Sequence, residues 1–296
     1  MANTREIQSR MKSIKDTMKI TSAMYMISSN KLKKAKLSLE HTEPYFYAMQ
    51  SGMARILRHL PEIEHPFFDQ RDEIKPEDRK IGYIVVTADK GLAGSYNHNV
   101  IKLAQEYLDK GGKCKLFVVG QLGVQYFAKT GTTVDINFQY TAQDPTINRA
   151  RNIAEKMIEF YENRELDEIY VIYTKMVNAA QMETEVQKLL PLKKADFGNV
   201  PMDIHAEEIA MLPSPDKVIS SIGQNYISGF IYGALVESYA SEQNARVMAM
   251  EGATKSAKDM LRELSITYNR LRQAAITQEI TEVISGAKAQ KRKKKH

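Results

Sequence analysis

The sequence predicts a mixed α/β protein in which long helices at the two chain ends pair as an antiparallel coiled coil and a central segment alternates strands with helices. Three observations carry this. The nine prolines, at 44, 61, 66, 76, 145, 191, 201, 213 and 215, leave residues 1–43 and 216–296 without the strongest helix breaker, and no glycine precedes Gly52. Both ends space their apolar residues in alternating steps of three and four, as a heptad seam does. The middle carries short runs rich in β-branched and aromatic residues, separated by helical patterns.

In the N-terminal segment, Ile7, Met11, Ile14, Met18, Thr21, Tyr25, Ser28, Leu32, Ala35 and Leu39 follow the heptad steps without a slip. Ile20, Met24 and Ile27 form a second apolar stripe beside this seam. One partner helix cannot cover both stripes, so a further surface is expected to take the second. The segment Pro61 to Lys80, with three prolines and mixed charge, reads as a linker or exposed loop.

Ile81 to Thr87, Lys115 to Gly120 and Glu168 to Thr174 read as strands, with a further one at Glu183 to Leu190; helical patterns lie at His98 to Lys110, Gln121 to Lys129 and Thr146 to Asn163. This alternation predicts βαβ units and a mainly parallel, Rossmann-like sheet. The last helix has a marked start. Ser214 can cap it, Pro215 suits the first helical position and Asp216 complements the dipole. Its seam is Val247, Met250, Thr254, Ala257, Leu261, Leu264, Tyr268, Leu271 and Ala275. A helix from Asp216 to Ser285 would run about 105 Å, against a radius of gyration of about 19 Å for a compact globule of this length. It is expected to project, and a projecting two-helix rod whose seam contains Thr, Ser and Ala is expected to need a surrounding partner. Gly229 and Gly233 read as close packing on the sheet rather than a membrane dimer motif.

The 296 residues, 43% hydrophobic and 26% charged, have the balance of an ordinary folded protein. The net charge of +6 is concentrated at the ends: residues 1–40 hold nine basic and three acidic side chains, and residues 285–296 hold six basic and none acidic. A single cysteine, Cys114, allows no internal disulfide, fits a reducing compartment, and with scattered histidines supports no zinc site. The charged N-terminus reads as neither a secretory signal nor a presequence. The longest uncharged stretch, Val218 to Val236, holds Ser, Gln and Asn that would be costly in lipid, so no span is expected. Lys291 to Lys295 read as a solvated tail after a helix stop at Gly286.

The turn Ala88-Asp89-Lys90-Gly91-Leu92-Ala93-Gly94-Ser95 follows the first strand, where a doubly wound domain binds a nucleotide, but it has neither GxGxxG nor GxxxxGK[ST]. Asp89 has no partner base or nucleophile and reads as a turn or capping residue. An enzyme of this fold is thus unsupported. A nucleic-acid binder is too, because the basic stripe at Lys31, Lys33, Lys34 and Lys36 is short.

Three segments resemble one family. MKSIKDTMKITSAMYMISSNKLKKA, from Met11 to Ala35, is similar to the N-terminal helix of the gamma subunit of rotary ATP synthases, with its IK-x-T-x-KIT-x-AM core. ITQEITEVISGA, from Ile276 to Ala287, resembles the C-terminal signature of that family, and TADKGLAGSYN resembles its central motif, with Ala93 where many members have cysteine. The three occur in the family's order and span nearly the whole chain.

The resemblance implies a non-catalytic rotor shaft without cofactors. It would stand inside a hexameric ring of alpha and beta subunits, with its α/β domain beside the epsilon subunit and the c-ring, coupling ion flow to ATP synthesis or hydrolysis. It further implies beta-subunit contacts at Arg272, Gln273 and Thr277 with Met24, Ile20 and Ile27, support from Glu279 and Glu282, and a foot toward the c-ring and epsilon at Lys31, Lys33, Lys34, Met211 and Leu212. No cysteine-pair insert is present, so thiol regulation is not expected. Nucleic acid is not an expected partner, the membrane is reached only through the c-ring, and the expected place is the cytoplasmic side of a bacterial plasma membrane. The expected divisions are an N-terminal coiled-coil helix 1–60, a linker 61–80, a central domain 81–200, a connector at the foot 201–213, a C-terminal coiled-coil helix 214–287 and a basic tail 288–296.

Overall fold

A computed structural model describes residues 4–178, 181–198 and 211–293. The chain divides into two compact units, Met1–Ile27 with Val247–His296, and Ser28–Arg246. Two long helices, α1 (Thr4–His59) and α5 (Pro215–Lys293), contribute to both.

In the first unit α1 and α5 form an antiparallel pair. Gln8 Nε2 donates to the Tyr268 hydroxyl at 2.7 Å, and the hydroxyls of Thr21 and Thr254 share a hydrogen bond of 2.8 Å. Moving up α1 from Gln8 to Thr21 therefore corresponds to moving back along α5 from Tyr268 to Thr254. Ile7, Thr21, Met250 and Ala257 are buried in the seam, and the other seam residues from Met11 to Met18 and from Thr254 to Leu271 are half-buried. Two seam positions differ from expectation. Tyr25 is exposed, its phenol reaching past a narrow two-helix seam toward water, and Ala275 is exposed because coverage of α5 ends at Leu271.

The second unit is built on a four-stranded sheet of β1 (Lys80–Val86), β2 (Lys113–Val119), β3 (Glu168–Met176) and β4 (Met182–Leu190), in the order β2-β1-β3-β4. β1 runs parallel to both neighbours and β4 is antiparallel to β3. Side chains alternate between two cores, as strand geometry requires. Tyr83, Val85, Leu116 and Val118 meet Val100 and Ala104 of α2 (Tyr96–Leu108) and Phe127 of α3 (Gln121–Lys129). Ile84, Val86, Phe117, Ile169 and Val171 face the opposite core with Ile153 and Met157 of α4 (Ile147–Glu162), Met53 and Leu57 of α1, and Ile227 and Ile231 of α5. This is the α/β class that the sequence predicts.

Local chemistry sets the helix ends. Thr146 caps α4 by accepting from the Arg149 amide at 3.3 Å, and Ser214 accepts from the Lys217 amide at 3.4 Å at the start of α5. α1 runs through Pro44; both Pro44 and Glu40 are exposed, so the carbonyl that loses its partner lies on the water side. α5 continues through Gly286 to Lys293 instead of stopping, since one glycine costs only about 1 kcal/mol among good helix formers.

Two further expectations are corrected. The segment 61–80 is packed: Phe67 and Phe68 enter the core, and buried Arg71 donates to the Leu166 carbonyl at 2.8 Å and pairs with Asp167. Gly229 faces Tyr45 and Phe46 of α1 rather than the sheet, and a Cβ on Gly233 would meet nothing within 4 Å among the described residues. Residues 199–210, most of the expected connector, lie outside the described residues. Among the described residues no helix is long and apolar enough to cross a membrane.

Candidate functional site

The turn after β1 is held as a knot. The Thr87 hydroxyl donates to the Val119 carbonyl at 2.9 Å and accepts from the Gly123 amide at 3.1 Å. Gly120, at φ 95°, lies so close that a Cβ would sit 2.3 Å from the Thr87 carbonyl oxygen, which requires glycine there. Asp89 accepts at Oδ1 from the Gln121 amide, the first residue of α3, at 3.0 Å. Its Oδ2 accepts from the Thr141 hydroxyl and from the amides of Ala142 and Gln143. These partners of Asp89 are donors that fasten loops, which fits the reading of a capping residue.

α5 passes against this knot. Every residue from Ser238 to Arg246 is buried, although Ser238, Ser241, Glu242, Gln243, Asn244 and Arg246 are polar. Partners from three directions satisfy several of them. The Tyr96 hydroxyl and the Thr174 amide donate to Ser238 Oγ, at 3.1 and 3.2 Å; Ser241 donates to the Thr174 carbonyl; and Tyr239 donates to Asp144 at 3.3 Å. Arg246 pairs with Glu242 at 2.7 Å and donates to the carbonyls of Lys90 and Gly91 at 3.2 and 3.1 Å. Burial pushes the Glu242 carboxyl above its ordinary range while Arg246 draws it back, and Glu242 Oε2 has no hydrogen-bond partner among the described residues. Burial also raises the Tyr96 hydroxyl, with Ser238 acting against it. Sequence reasoning passed over this clasp, although the i, i+4 spacing of Glu242 and Arg246 was visible.

The crevice where a doubly wound domain would hold a nucleotide is therefore occupied by the chain itself. Ala245 packs with Ala88, Ala93 and Tyr96, and Arg246 takes the carbonyls of the turn.

The expected contact residues fall into separate groups. On the coil, Ile20 and Ile27 are 61% and 56% exposed, whereas Met24 of the same stripe is half-buried. Arg272, Gln273, Thr277, Glu279 and Glu282 are all exposed, on the length of α5 beyond Leu271. The expected foot is not one patch. Lys31, Lys33 and Lys34 lie next to the Ala35, Tyr239 and Ala240 cluster, about 40 Å along α1 from its end at His59. Met211 packs instead on the core that holds Leu57, Phe67 and Ile219, and Leu212 beside it is exposed. Of the basic tail, the side chains of residues 291–296 lie outside the described residues.

A helix pair whose outer surface keeps large apolar side chains, carried with a sheet domain whose nucleotide crevice is filled by its own chain, is the arrangement of a protein built for contact with other proteins. The model of the ATP synthase family matches residues 3–290. The chain is 44% identical over 294 residues to an ATP synthase gamma chain of Ruminiclostridium cellulolyticum, covering 97% of this chain and 98% of that one. It is 36% identical over 302 residues to a sodium-ion-specific gamma chain of Acetobacterium woodii, with 97% and 98% covered. A chain of the central stalk and c-ring of the Tetrahymena thermophila mitochondrial ATP synthase superposes with a TM-score of 0.59 at 25% identity, over 79% of this chain and 99% of that one. The chain belongs to the ATP synthase gamma-chain family, whose members are the non-catalytic central-stalk subunit of the rotor.

Proposed function

We propose that the coil of α1 and α5 turns inside a ring of alternating alpha and beta subunits, and that its asymmetric surface sets a different nucleotide affinity at each beta subunit. A rotating effector shifts such states only through contacts that differ between them. One observation carries the reading. Beyond Leu271 α5 is exposed at every described residue, yet it presents Ile276, Ile280, Val283 and Ile284, two turns of apolar side chains that need a sleeve. Arg272, Gln273 and Thr277 supply polar contacts to the beta subunits on the same stretch, with Glu279 and Glu282 supporting. Ile20, Met24 and Ile27 supply apolar contacts on α1. Exposed polar pairs of about 0.2–1 kcal/mol suit contacts that must break at every step.

We assign Met211 and Leu212 to the base, against epsilon and the c-ring, through which proton or sodium ion flow drives the shaft. The lysines expected at the same foot stand about 40 Å away along α1, so we assign Lys31, Lys33 and Lys34 to acidic surface on the ring side. The complex would then sit on the cytoplasmic face of a bacterial plasma membrane, this chain reaching the bilayer only through the c-ring. Single cysteines placed in a Cys114→Ser chain test the assignment in the assembled complex. Those at Ile27 and Arg272 should crosslink to beta, and one at Leu212 to epsilon or the c-ring; the reverse pattern would contradict it.

A further inference from the structure

A cleft of about 680 Å³ opens in the second unit between α1, β4 and α5, a size typical of small-molecule sites. Its walls are aromatic. Phe46 stacks on Tyr226 with ring centroids 5.1 Å apart, Phe197 meets Tyr226 edge-on at 5.2 Å, and Tyr173 meets Phe230 edge-on at 6.5 Å. The floor is bare helix. Among the described residues, a Cβ on Gly233 would touch nothing within 4 Å.

One turn beyond Gly233, Glu237 also lines the cleft. Among the described residues, the charges that act on Glu237 are Glu185 and Lys175, and those two are paired with each other. Glu43 and Asp196 add negative charge around the cleft. Of the lysines among its described lining residues, Lys188 is committed to Glu168 at 2.9 Å, and Lys193 is the other. The cleft is thus an aromatic box with an acidic balance.

We propose that this cleft binds an amphipathic organic cation, its flat apolar body lying among the rings of Phe46, Tyr226 and Phe230 and its ammonium or guanidinium group resting on Glu237. The rings cover the apolar body, and the carboxylate supplies the charge opposite to the cationic group. Burial, and then Glu185, hold the Glu237 carboxyl above its ordinary range, so a bound cation relieves a cost that the empty cleft carries. The site is independent of the rotor assignment, because its residues are none of those given to the ring or the base.

Calorimetry on the purified full-length chain, with (1-naphthylmethyl)trimethylammonium as probe, tests this against 1-naphthylmethanol and 1-naphthylacetate, which share the ring system. The cation should bind at least about tenfold tighter than either. Glu237→Gln should abolish that preference, and Gly233→Phe, which fills open space on a helix, should eliminate binding while the melting temperature holds. Equal binding of the three compounds, no binding of the cation at millimolar concentration, or a preference that survives Glu237→Gln would overturn the proposal. Should Gly233→Phe lower the melting temperature, the charge series and Glu237→Gln still decide it.

Discussion

Arg246 of α5 donates to the Gly91 carbonyl at 3.1 Å, so the glycine-rich turn after β1 is tied to the long helix by a buried cation whose counter-ion, Glu242, lies one helical turn back. Removing one member of a buried pair strands the other, at a cost of about 3–5 kcal/mol, whereas replacing both by apolar groups is often neutral. Arg246→Ala should lower the urea midpoint strongly. The double variant Glu242→Leu with Arg246→Met should recover most of that loss, and failure to recover it would show that the carbonyl contacts of Arg246 matter more than its charge pairing.

The Thr21 hydroxyl also donates to the Met18 carbonyl at 3.1 Å, so across the coil it accepts from Thr254. Thr254→Val leaves that acceptor unpaired and should cost about 1 kcal/mol. Adding Thr21→Val makes the contact wholly apolar, and stability should return to near or above the parent value. Circular dichroism at increasing urea resolves the difference.

His65 gives a pH dependence. Its Nδ1 accepts from the Phe67 amide at 3.2 Å, which leaves the proton on Nε2 to meet Ser220 Oγ at 2.8 Å. Burial lowers its pKa below 6.5, against a smaller raising effect of Asp216. The unfolded chain therefore binds the proton more readily than the folded one. The contribution of His65 is complete above pH 6.5 and is lost as pH falls through the lowered folded value. Replacing His65 with Asn should flatten the fall in melting temperature between about pH 7 and pH 5; an unchanged slope would assign that dependence to other groups.

Much of this architecture was legible in residue spacing. Both heptad seams, the strands and the Ser214 cap are properties of short windows, and the four strands appear within two residues of their expected starts. What spacing missed depends on tertiary neighbours. The segment around Phe67 and Phe68 looked like a loop because prolines flank it, yet two adjacent aromatics had a core to enter. The Gly286 stop failed because neighbouring alanines and lysines favour a helix. The second apolar stripe of α1 was legible in spacing, and Ile20 and Ile27 leave it exposed, but the half-burial of Met24 was not. The separation of Lys33 from Met211 needed the helix length between them.

The exposed stripe on α1 carries the coupling prediction. Ile27→Lys and Met24→Lys each put a cation where the ring is proposed to slide past, adding contacts that persist through a step. ATP hydrolysis by the assembled complex should continue while ATP-driven ion pumping falls. The larger loss is expected for Ile27→Lys, which is more exposed. Pumping that stays matched to hydrolysis in both variants would remove these residues from the coupling surface.

The most direct measurement concerns motion. Ile136 is 79% exposed, and Cys114→Ser removes the chain's own thiol, so a cysteine at Ile136 offers a single handle on the sheet domain. With the alpha–beta ring fixed to a surface and a bead on that cysteine, adding ATP should turn the bead in one direction through three equal steps per revolution, one for each beta subunit. A bead that holds its angle while the same complexes hydrolyse ATP would contradict the account of this chain as the rotor.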